Sequence, residues 1–174
     1  TDANNCQSTS QYFVIANSPL VIDAGADTLT CFGDSLLIGA QLNASGSGPV
    51  NYIWTPDNNI DNTSSLMPSV YPDDTTTYYI TVIDSFLCQH SDSITVNVNP
   101  DLSGSISGDS FVCYGDSFFV IADIFNEGTP PYSYEWSDTS LFKDSDAFSS
   151  KGYSLTTQNI SLHITDASNC YHTI

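Results

Sequence analysis

One fixed sequence offset organises this chain: Cys6 to Cys88, Cys88 to Cys170 and Cys31 to Cys113 are equally far apart. Cys31-Phe32-Gly33-Asp34-Ser35 returns as Cys113-Tyr114-Gly115-Asp116-Ser117 at the same offset. Pro49, Tyr52 and Trp54 return as Pro131, Tyr134 and Trp136, and Asp2, Asp84 and Asp166 each stand four residues before a cysteine. A sequence that repeats every ~82 residues folds as repeating units, and a unit of this length encloses its own small core. The phase of the repeat sets the expected boundaries. Residues 1–18 match the end of a unit and contain a terminal strand over 11–16, 19–100 form a complete unit, and 101–174 form a second unit short of its last strand. The chain therefore reads as a stretch of a longer array.

Within each unit the pattern is that of short strands. Segments 35–42 and 117–124 are apolar and follow Gly-Asp, and 50–55 and 132–137 carry the tryptophans. Segments 76–83 and 159–165 alternate, with Tyr78, Ile80 and Val82 on one face and Ile160, Leu162 and Ile164 in the matching places. A period of two gives one buried and one wetted face. Ser, Thr, Asn, Gly and Pro fill the connections, and no stretch has helical periodicity with caps. The expected fold is all-β: two tandem immunoglobulin-like sandwiches. Trp54, Trp136, Tyr78, Ile80, Val82, Leu162 and Ile164 are the expected core, and Tyr78 is placed to act as a corner tyrosine.

Charge narrows the function classes. The net charge is −18, from 20 acidic residues against two lysines, Lys143 and Lys151. Such a chain lacks the cations that nucleic acid or an anionic membrane surface requires. No apolar run reaches the ~18 residues of a membrane span. With 40% hydrophobic and 12% aromatic residues, the acidity is that of a folded protein.

The pattern Cys-x-Gly-Asp-Ser, then Pro-x-x-Tyr-x-Trp, then Tyr-x-Ile-x-Val-x-Asp-x-x-x-Cys resembles the PKD-like and SprB-type immunoglobulin-like repeats. The best matching stretches are 128–136 and 165–170. The resemblance covers essentially the whole chain and departs from the family at Asn5, Leu87 and Asn169, where glycine often stands. It implies a repeat of a giant bacterial surface adhesin exported by the type IX secretion route. The expected work is that of a rigid stalk or filament building block outside the cell, with no enzymatic activity. The expected partners are neighbouring repeats of the same chain and a lateral or head-to-tail homo-oligomer, without nucleic acid or membrane insertion. The alternative is a sandwich module that binds carbohydrate or protein, with calcium as a candidate stabiliser.

Cysteines in register with a repeat point to disulfides and an oxidising compartment. Three pairings keep the period. Cys31–Cys88 with Cys113–Cys170 closes a loop of 57 residues in each unit, worth roughly 4 kcal/mol in the chain-entropy model, and leads because each unit then carries its own bond. Cys6–Cys31 with Cys88–Cys113 crosses each junction. Cys31–Cys170 joins the two units if they stack end to end. Calcium, which takes six to eight oxygen ligands, has candidate ligands in Asp57, Asp61, Asp73, Asp74, Asp144 and Asp146. Asp and Asn also favour turns, and none of these clusters has the EF-hand spacing. For catalysis the inventory is poor: His90, His163 and His172 have no nucleophile and acid at suitable spacing.

Overall fold

The computed structural model describes residues 3–7, 9–14, 16–46, 48–126 and 128–174. All regular structure among them is β. The first unit contains β1 (Leu20–Asp23), β2 (Thr28–Cys31), β3 (Leu36–Leu37), β4 (Gln41–Ser45), β5 (Asn51–Thr55), β6 (Ser69–Val70), β7 (Thr76–Ile83) and β8 (Gln89–Asn99). One sheet runs β2-β8-β7-β5; β1-β4 and β3-β6 are short ladders facing it. The second unit contains β9 (Ser103–Gly108), β10 (Ser117–Asn126), β11 (Ser133–Trp136), β12 (Ser149–Tyr153), β13 (Leu162–Thr165) and β14 (Tyr171–Thr173). Its sheets run β12-β10-β9 and β11-β13-β14.

In the first unit the chain changes sheets between β1 and β2. β1 pairs antiparallel with β4, whereas β2 runs parallel to the end of β8, with Cys31 opposite Asn99. Side chains brace the crossing. The Ile22 amide donates to His90 Nδ1 (3.2 Å), the Ala24 amide to Asp92 Oδ2 (2.8 Å), and the Thr95 amide to Asp27 Oδ1 (2.8 Å). These bonds satisfy backbone donors where the ladder is interrupted.

Each unit has its own apolar cluster. Alternation along β7 buries Tyr78, Ile80 and Val82, and along β13 it buries Leu162 and Ile164. Trp54 and Trp136 are buried on equivalent strands. Their indole N–H groups donate to Ser65 O (2.8 Å) and Ala147 O (2.9 Å), themselves one repeat apart. The buried Tyr78 hydroxyl donates to Asn59 O (3.2 Å), a distant loop carbonyl rather than the backbone just upstream that a corner tyrosine uses. Burial pushes this phenol above its ordinary value, and Tyr71 adds to the shift.

The two cores are packed differently at one cross-strand pair. Leu36 faces Val70 in the first unit; at the same places in the second, Phe118 faces Gly152. A Cβ on Gly152 would collide with the edge of the Phe118 ring. The large ring is accommodated by deleting its neighbour's side chain, and it packs edge-on against Phe142 at 5.7 Å.

Three expectations are corrected. Segment 35–42 is two short strands, because Ile38 and Ala40 donate to Pro68 O and Leu66 O in an irregular stretch where proline offers no N–H in return. Segment 159–165 is a strand only from Leu162. The described residues of 11–16 form no strand. Their counterparts in β8 are held between β7 and β2, and none of the strands β1–β14 pairs with 11–16. Ile15 lies outside the described residues, as does Asp2 of the repeated Asp-x-x-x-Cys motif.

The disulfide junction as candidate functional site

The two units share no ladder. They meet at 99–102, where β8 ends, Pro100 and Asp101 connect, and Leu102 enters the second core. Cys31 is bonded to Cys170 across this junction, with the Cα atoms 5.5 Å apart and a sequence separation of 139. The leading pairing, Cys31–Cys88 with Cys113–Cys170, is therefore corrected to the one that crosses the interface. The reason lies in β8. Cys31 stands beside its last residue, Asn99, while Cys88 precedes its first, Gln89. The length of that strand separates the two ends by about 30 Å, and a disulfide needs Cα atoms within about 7 Å. Each unit thus carries one cysteine at each pole, and only stacking brings two together. The pairing of Cys6–Cys31 with Cys88–Cys113 is corrected as well, since Cys31 is taken by Cys170 and no bond joins Cys88 to Cys113.

Local structure sets both sulfurs. Cys31 opens a turn in which the Asp34 amide donates to Cys31 O (3.1 Å) and Gly33 has φ 80°. This is a type II turn, whose third position requires the left-handed φ that glycine adopts without strain. Cys170 closes the turn between β13 and β14, built around a buried carboxylate. Asp166 Oδ1 accepts from the Ser168 (2.8 Å) and Cys170 (2.9 Å) amides, and Oδ2 accepts from the Thr129 amide (2.8 Å). Asp84 Oδ1 accepts from the Phe86 and Cys88 amides in the same way, each at 2.9 Å. The residue before Cys6, Cys88 and Cys170 is left-handed: φ is 62° at Asn5, 64° at Leu87 and 63° at Asn169. Glycine would adopt this φ without strain.

Asn99 completes the junction. It is buried, and its Nδ2 lies 3.3 Å from Cys170 Sγ. Nothing in its immediate sequence marks it. The available signal is the repeat: Asn17 is its counterpart one unit earlier, and the Asn17 Nδ2 lies 3.5 Å from Cys88 Sγ.

The chain-entropy model assigns about 5 kcal/mol to a loop as long as that of Cys31–Cys170, against about 4 kcal/mol to one closed within a unit. That gain is small. The distinctive consequence of Cys31–Cys170 is topological, because it ties separate folds into one covalent body.

The acidic candidates do not come together. Asp57, Asp61, Asp73, Asp74, Asp144 and Asp146 are all exposed. Asp61 Oδ1 accepts from the Ser69 amide (2.9 Å), and Asp73 Oδ2 from Asn59 Nδ2 (3.4 Å). Among the described residues, no three His, Cys, Asp or Glu side chains converge as a metal site. His163 lies on a strand face with its Nδ1 3.0 Å from Thr173 Oγ1 and its ring 5.0 Å from Tyr171.

No family model and no curated protein matches the chain. Solved structures do. The N-terminal eight Ig domains of Down Syndrome Cell Adhesion Molecule match with a TM-score of 0.57 at 12% identity, over 88% of this chain and 23% of that one. The I-band fragment I67-I69 from titin matches with a TM-score of 0.48 at 15% identity, over 92% of this chain and 64% of that one. The insect immune protein hemolin matches with a TM-score of 0.46 at 15% identity, over 96% of this chain and 48% of that one. This chain spans less than two thirds of each. At these identities the likeness is one of fold: the chain is all-β and consists of tandem immunoglobulin-like sandwiches.

Proposed function

We propose that the chain is a load-bearing spacer segment of an extracellular surface protein, with a mechanical rather than a catalytic role. The Cys31–Cys170 bond carries this reading. A bond that ties one domain to the next resists extension between folds. It also needs an oxidising compartment to persist. A charge of −18 keeps a tandem array hydrated and discourages lateral collapse. Together with the resemblance to PKD-like and SprB-type repeats, these features support a stalk of a bacterial adhesin exported by the type IX route.

A domain swap in the parent protein tests this. Residues 1–174 are replaced by an unrelated, disulfide-locked pair of immunoglobulin-like sandwiches of equal length. A spacer predicts that surface display and attachment survive the swap and decline when the segment is deleted. Loss of attachment on the swap, with display intact, would instead identify the segment as the ligand-binding module.

A further inference from the structure

Cys88 and Cys113 carry no disulfide, yet each stands in a structural copy of a bonded cysteine. Cys113 opens the same type II turn as Cys31, with the Asp116 amide 2.9 Å from Cys113 O and Gly115 at φ 81°. Cys88 closes the same carboxylate-centred turn as Cys170. An asparagine amide lies against its sulfur as one does against that of Cys170.

The surface around Cys113 is more open than that around Cys31, where β2 lies beside the end of β8. Phe111 and Tyr114 are 96% and 83% exposed, whereas their counterparts Leu29 and Phe32 are 51% and 48% exposed. Val112 is 43% exposed where Thr30 is 9%. An open groove lined by Phe111, Val112, Tyr114 and Leu155 runs beside the thiol. The Cys113 thiol is exposed along this groove and open to a second sulfur.

We propose that Cys113 and Cys88 are the two halves of further junction bonds of the Cys31–Cys170 kind. Cys113 bonds the turn cysteine of a repeat of this fold docked on its pole. Cys88 bonds the Cys-x-Gly-Asp-Ser cysteine of a repeat on the opposite side. In one long polypeptide such bonds interleave, each with the sequence separation of Cys31–Cys170 and overlapping the next, so that every repeat is bridged. Closure needs a disulfide donor of the glutathione class. One protein thiolate attacks the donor disulfide, and a donor thiol leaves as a mixed disulfide forms. The second thiolate then attacks the protein sulfur of that mixed disulfide, the protein disulfide forms and the other donor thiol leaves. Two protein thiols are oxidised and one donor disulfide is reduced. This inference rests on reading the chain as one stretch of a tandem array. Its test reads connectivity rather than load, so the two can fail separately.

The test oxidises the Cys6→Ser chain in a mixture of reduced and oxidised glutathione, followed by digestion without reduction and mass spectrometry of linked peptides. The expected map holds Cys31–Cys170 within each molecule and Cys113–Cys88 between molecules, with a ladder on a non-reducing gel. Cys113→Ser and Cys88→Ser should each collapse the ladder to monomer while Cys31–Cys170 still forms, which shows that both variants fold. In the parent polypeptide, the same map should join Cys113 to a downstream cysteine at the separation that Cys31 and Cys170 show, distinguishing a neighbour in the chain from a second copy. The proposal is overturned if both thiols remain open to alkylation while Cys31–Cys170 closes. It is also overturned if Cys113–Cys113 and Cys88–Cys88 pairs form as readily as Cys113–Cys88.

Discussion

Asp166 Oδ1 lies 2.9 Å from the amide of Cys170, whose sulfur is bonded to Cys31 in the other sandwich. A buried carboxylate in one turn therefore aims the covalent link between two domains. Its two oxygens accept three backbone N–H groups, from Ser168, Cys170 and Thr129. Asp166→Ala should cost about 3 kcal/mol, since buried donors then lose a charged acceptor. Urea unfolding of the variant against the parent chain, both reduced, measures this without the disulfide. A cost below about 0.5 kcal/mol would mean that the turn does not depend on the carboxylate.

The Phe118–Gly152 pair should behave as a matched exchange for Leu36–Val70. Gly152→Val alone drives a side chain against the edge of the Phe118 ring and should destabilise the second unit by about 1–3 kcal/mol, the usual range for overpacking. Adding Phe118→Leu recreates the pair found in the first unit and should recover most of that loss. A double-mutant cycle by thermal unfolding reads the coupling. Additive costs would show that the two sites are not coupled through shared space.

Leu87 holds φ 64° with its side chain 83% exposed. A left-handed conformation costs an ordinary L-residue roughly 1–2 kcal/mol, and asparagine tolerates it better. Leu87→Asn should raise stability by about 0.5–1 kcal/mol. A higher midpoint in denaturant checks it, and an unchanged or lower midpoint contradicts it.

Acid should loosen the sheet crossing of the first unit. Hydrogen bonds from the Ala24 and Ser93 amides lower the Asp92 carboxyl below its ordinary value of 3.8, against a smaller opposing effect of burial, with His90 adding to the lowering. The folded value is thus below the unfolded one. Its contribution to stability is complete above the unfolded value and is lost as pH falls through the folded one. Asp92→Asn should therefore be less stable than the parent chain at about pH 6, and the gap should narrow once the pH falls below the ordinary carboxyl value of 3.8. A gap independent of pH would assign the loss to shape rather than charge.

Much of this architecture is legible in sequence because the repeat reports it twice. Trp54 and Trp136, or the alternation at Tyr78, Ile80 and Val82, need only local pattern to be placed in a core. The disulfide does not yield to the same reasoning, since all three pairings preserve the repeat. What decides is that Cys31 and Cys88 flank opposite ends of one strand, a fact of pairing register. The segment 11–16 shows a second limit. Its apolar residues match those of β8, but a strand exists only beside a partner. The acidic clusters show a third, because turn chemistry and metal chemistry favour the same residues, and these side chains are spent on turns or left in solvent.

The central claim is that Cys31–Cys170 converts two folds into one covalently limited body, and single-molecule pulling from the two termini tests it directly. With the bond closed, the stretch between the cysteines, a sequence separation of 139, is shielded from extension. Reduction should add roughly 480 Å to the final contour length, at about 3.5 Å per residue. The stretch between the two cysteines should extend only after reduction. An oxidised chain that extends as far as the reduced one would contradict the account.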